Sequence, residues 1–131
     1  MSPWIKSRAL VVGPYVALVL SDKAYQQALN KMGVPQAQRG PWISNAQSDA
    51  TSHILENGSD MACVVALRVK AGTTGIEIAG LLVHEATHIF QEWCSKAGER
   101  HPSNEFEAYS IQTLAQSLMQ SYADQTLGAK A

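Results

Sequence analysis

The segment from Gly75 to Lys96 constrains this chain most. Its apolar runs, Ile76 to Val83 and then Ile89-Phe90, enclose the polar stretch His84-Glu85-Ala86-Thr87-His88. Thr74 offers a cap and Gly98 a stop, so the spacing predicts one long helix between them. A helix this apolar must be covered by a sheet or by other helices. Imidazoles and a carboxylate at its middle are expensive to bury unless they bind something.

The rest of the chain supplies the cover. Tyr15-Val-Ala-Leu-Val-Leu20 follows Gly13-Pro14 and ends at Ser21-Asp22, which reads as a buried strand leading into a helix cap. Ala24, Tyr25, Ala28, Leu29 and Met32 then recur at helical spacing, so a helix is expected over about Asp22 to Met32, stopped by Gly33 and Pro35. Residues 34–49 read as a loop anchored by Trp42 and Ile43. Thr51–Glu56 and Ala62–Val69 flank Asn57-Gly58-Ser59-Asp60, a hairpin signal. A last helix is expected after Pro102, capped by Ser103 or Asn104, sending Phe106, Tyr109, Leu114, Leu118 and Tyr122 into the core. The 131 residues thus make a single α+β domain, a small antiparallel or mixed sheet packed against the long helix and a C-terminal helix.

Charge narrows the partners. Ten Lys+Arg against eleven Asp+Glu leave a net charge of −1, which gives no basic stripe for nucleic acid. Cys63 and Cys94 are too few for a disulfide framework and read as reduced thiols. Lys6 and Arg8 precede an apolar run from Ala9 to Leu20, the order of a signal peptide. Gly13-Pro14 breaks that run and Leu20-Ser21-Asp22 is not a small-x-small cleavage site, so a core strand and a cytoplasmic protein are expected. The run is too short to span a membrane.

His84 and His88 stand at i and i+4, about 40° apart around a helix, so both imidazoles can reach one ion. Glu85 lies about 100° round from His84, a poor ligand position but a good one for touching a water beside the ion. This is the HExxH pattern of zinc metallopeptidases. A catalytic zinc needs a third protein ligand. The metzincin pattern would have Gly at 91 and His at 94, where this chain has Gln91 and Cys94, so it is excluded. Glu105 and Glu107 on the following helix are the carboxylates on offer, about 200° apart. If Phe106 and Tyr109 mark the packed side, Glu105 shares the Tyr109 face, which favours Glu105 with Glu107 as the alternative.

An HExxH helix, a loop and a helix beginning Glu-x-x-Ala-Tyr, over about residues 75–112, resembles the gluzincin group of metallopeptidases. The likeness is to its minimal single-domain members, including short phage and bacterial proteins. The resemblance implies a zincin-like fold and one Zn2+ held by His84, His88 and Glu105. It also implies hydrolysis of a peptide or protein substrate with Glu85 as general base. The group often has Asp four residues after its ligand Glu, where this chain has Tyr109. Tyr109, His101, Arg100 and His53 are the candidates for stabilising the oxyanion. His53 shares a strand face with Thr51 and Leu55 that could pass the zinc helix. A strand of the hairpin is the natural edge for an extended substrate. The competing reading is a non-catalytic zinc-binding or interaction protein that keeps the HExxH site for structure.

Overall fold

Gly58 takes a φ of +63°, a left-handed conformation that costs glycine nothing, and closes a tight turn. It joins β2 (Ala50–Asn57) to β3 (Asp60–Leu67) in a computed structural model that describes residues 2–5 and 13–127. The remaining elements are β1 (Tyr15–Val19), α1 (Asp22–Lys31), α2 (Gly75–Ala97) and α3 (Asn104–Thr126), with a short 3-10 turn at Gln36–Gln38. The fold is α+β, as expected. Residues 6–12, with Lys6, Arg8 and the first part of the apolar run, lie outside the described residues.

The sheet has the order β1-β3-β2. β3 pairs in parallel with β1 and antiparallel with β2, so the sheet is mixed. As the central strand β3 is covered on both faces, which is why Cys63 to Leu67 is an unbroken buried apolar run. Residues of β1 alternate between the two faces. Val16 and Leu18 join Cys63 and Val65 against Leu82, Ala86 and Ile89 of α2 and Leu114 and Leu118 of α3. Ala17 and Val19 join Val64 and Ala66 against Tyr25, Ala28 and Leu29 of α1. The sheet therefore lies between α1 and the α2–α3 pair. Among the described residues no helix is long and apolar enough to cross a membrane.

Local chemistry sets the helix ends. Ser21 accepts a hydrogen bond from the Ala24 amide and Ser103 one from the Phe106 amide. Thr74 and Glu77 form a reciprocal capping box, and Gly98 at φ +74° ends α2. At the far end of α3, Gln125 donates from Nε2 to the Leu18 carbonyl at 2.9 Å and ties the helix to β1.

The face α3 turns inward differs from expectation. Leu114 and Leu118 are fully buried, but Tyr109 is 65% exposed and Phe106 40%. The inward stripe runs through Ser110, Leu114 and Leu118. Tyr109 is five residues from Leu114, about 140° round the helix. Phe106 packs at the open end against Phe90 and Trp93, ring centroids 5.7 and 5.9 Å apart.

Leu82→Ala, at the centre of the sheet–α2 contact, is expected to lower the unfolding free energy by about 2–5 kcal/mol. Thr74→Ala, which removes the capping box, should cost about 1 kcal/mol. Urea unfolding followed by circular dichroism measures both.

Candidate metal centre

α2 meets two environments at once. Ile78, Leu82, Ala86 and Ile89 form its buried face, and helical spacing then leaves His84 and His88 on the solvent side, where both are exposed. Their Nε2 atoms lie 3.0 Å apart, with the rings edge-on at a centroid distance of 4.6 Å. Two imidazole nitrogens on one tetrahedral zinc ion are separated by about 3.3 Å. The pair thus stands close to the spacing a shared ion requires.

Among the described residues no three His, Cys, Asp or Glu side chains gather into a set that could hold an ion. Glu105 and Glu107 are both exposed on the first turn of α3. The contact of Phe106 with Phe90 and Trp93 explains this, because it sets that turn beside α2 beyond His88. The packing premise for Glu105 also changes, since Tyr109 points away from the packed face. Glu105 lies nine residues from Leu114, about 180° round α3, whereas Glu107 lies seven residues away and only about 20° off its line. Burial, then the charges of Glu99 and Glu107, push the Cys94 thiol up. Cys94 itself is buried, as is Cys63, whose thiol burial and the charge of Glu92 push up to about 12; both are free thiols.

Glu85 occupies the border between the two faces of α2 and is only 4% exposed. Ser52 of β2 donates from Oγ to its Oε2 at 3.4 Å. Glu85 and His84 both line a cleft of about 530 Å³ that runs between the start of β2 and the first half of α2. Asp49 and Glu77 also line it, each already engaged. Asp49 pairs with Lys70 at 2.9 Å and Arg68 at 3.6 Å, while Glu77 is held in the capping box.

β2 is the edge strand beside this cleft. The Arg68 amide donates to the Asp49 carbonyl at 2.8 Å, which makes Asp49 the start of the ladder's alternation. Thr51, His53 and Leu55 therefore turn their backbone groups toward β3, and Ser52 and Ile54 turn theirs to the free edge. Side chains alternate as well. Ala50 and Ile54 pack with the α2 side of the sheet and Ser52 touches Glu85. Thr51, His53 and Leu55 do share a face, but Leu55 packs on the α1 side.

His53 is thus on the opposite face of the sheet from α2, which corrects its candidacy for the oxyanion. Its Nε2 donates to the Trp42 carbonyl at 2.9 Å, and its Nδ1 lies 3.5 Å from the Tyr25 hydroxyl, which donates to the Gly40 carbonyl at 3.0 Å. It anchors the loop before β2. Arg100 and His101 are exposed in the connection between α2 and α3, and neither they nor Tyr109 is held against the His84–His88 pair by any of the contacts described above. Ser52 is the site residue that sequence reasoning passed over. The signal was present in the period-2 pattern, where Ser52 stands between Ala50 and Ile54 in the row that faces the helix.

The Lys70 ammonium, against a smaller opposing effect of burial, holds the Asp49 carboxyl below its ordinary value of 3.8. A depressed carboxyl contributes stability that is present above the unfolded-state value and is lost as pH falls through the folded one. The difference in Tm between the parent and Asp49→Asn should therefore shrink between about pH 6 and about pH 2. Thermal unfolding across that range measures it. Comparison with known proteins returned no matching family model, no matching curated protein and no matching solved structure, so the site stands on its own geometry.

Proposed function

We propose that this chain is a zinc-dependent peptide hydrolase with a zincin-like arrangement of edge strand and HExxH helix. The observation that carries the reading is the 3.0 Å approach of the His84 and His88 nitrogens, with His84 and buried Glu85 lining one cleft. His84 and His88 would hold the ion. A carboxylate from the first turn of α3 would complete the set, Glu105 by the resemblance or Glu107 by its helix face. Either requires that turn to move toward His88. Zinc bound there would supply Lewis-acid polarisation of the scissile carbonyl and of water.

The chain's own residues do the rest. Glu85 takes a proton from the attacking water as the oxygen–carbon bond forms, and returns it to the leaving amine as the carbon–nitrogen bond breaks. The outward amides and carbonyls of Ser52 and Ile54 offer an extended peptide a strand to pair with. The substrate is a peptide or protein, not a nucleic acid, in keeping with the net charge of −1. Two free core thiols agree with work in the cytoplasm.

A second reading has an observation of its own. With no third ligand gathered at the pair among the described residues, His84 and His88 would hold an ion jointly with a partner's side chain, without turnover.

Elemental analysis after zinc loading and removal of excess separates these readings. Wild type is expected to carry about one zinc per chain, lost in His88→Ala and in whichever of Glu105→Ala and Glu107→Ala removes the third ligand. Glu85→Gln should keep the zinc and lower hydrolysis of a peptide library about 10²- to 10⁴-fold. Absence of zinc from the loaded wild type would sink both readings. Zinc without any Glu85-dependent hydrolysis would leave the second.

A further inference from the structure

Ser52 stands in a row of β2 side chains whose other members, Ala50 and Ile54, pack against the α2 side of the core. Its strand partner is Val65, which is fully buried. Apolar packing alone gives no reason for a hydroxyl at that place. The hydroxyl has one: the Glu85 carboxylate, 33 residues away in the chain, accepts its hydrogen bond. A carboxylate that is 4% exposed needs a donor, because an ionised group without one is costly to bury.

We propose that Ser52 is the positioning residue for Glu85, holding Oε2 so that Oε1 is left to take the proton from water. The assignment rests on the peptidase reading given above for its catalytic use. The same residue turns its backbone amide and carbonyl to the free edge of the sheet, where an extended substrate would pair. Substrate docking and the orientation of the base thus meet at one residue. A peptide that pulls β2 outward or presses it onto α2 changes the Ser52–Glu85 distance directly.

The contact and its use are tested separately, on the full chain. A double-mutant cycle in urea unfolding, without added metal, compares Ser52→Ala, Glu85→Ala and the double variant. Ser52→Ala should raise the unfolding constant about tenfold when Glu85 is present and less than about twofold when it is absent. Purely additive effects would overturn the proposal whatever the activity.

In the zinc-loaded protein, with the best fluorogenic peptide from a library, Ser52→Ala should lower kcat about tenfold and leave KM within about twofold. Ser52→Thr, which keeps the hydroxyl on a strand-favouring side chain, should restore the rate. An unchanged kcat in Ser52→Ala would refute the positioning role. Energetic coupling in a parent protein that hydrolyses nothing would instead refute the peptidase reading, and the catalytic use of Ser52 with it, while leaving the contact in place.

Discussion

The long helix α2 has to be apolar on one side and polar on the other within a single turn, and the rest of the molecule follows from that division. Leu82, Ala86 and Ile89 bind it to the sheet, so His84 and His88 cannot also be inside. Glu85 falls on the boundary, close enough to the sheet to be buried and close enough to His84 to line the same cleft. Turning the helix so that each buried place were taken by the preceding residue would bury both imidazoles and release Leu82 and Ala86 to solvent. Packing energy and the placement of the polar triad are therefore one constraint.

The sheet supplies the second half of the arrangement. Because β3 sits in the middle and pairs with both neighbours, β2 is an edge strand among the described residues. Hydrogen-bond alternation along β2 presents Ser52 and Ile54 to that edge, and side-chain alternation presents Ser52 to Glu85. The cleft is bounded by the start of this edge strand and by the helix that carries His84 and the buried Glu85 carboxylate. The acidic groups at its far end are engaged, Asp49 by Lys70 and Glu77 by Thr74.

The α2–α3 hairpin sets where the carboxylates of the first turn of α3 stand, and among the described residues they do not gather with the imidazole pair. Phe106 seals the open end by packing on Phe90 and Trp93, and this holds the first turn of α3 beyond His88 along α2. A helix start whose one aromatic anchor is itself 40% exposed is among the easier parts of the fold to rearrange.

Much of this architecture was written locally. Ser21, Thr74 and Ser103 cap the helices that begin after them, and Gly98 ends α2, because caps depend on a few neighbouring backbone groups. The turn at Asn57–Asp60 and the spacing of His84 and His88 were equally plain, since hairpin geometry and the helical repeat act over four or five residues. Faces were harder. The alternation showed that Thr51, His53 and Leu55 share one side of β2, but only the packed sheet decided that this side meets α1, which leaves His53 tending a loop and Ser52 touching Glu85. Likewise Phe106 and Tyr109 looked like core aromatics, while packing put the inward stripe of α3 on Ser110, Leu114 and Leu118 and left Tyr109 outward. Sequence alone determined the elements, their ends and the imidazole pair, all products of short-range geometry; tertiary structure decided which face meets which, because that depends on how distant surfaces fit when they are pressed together.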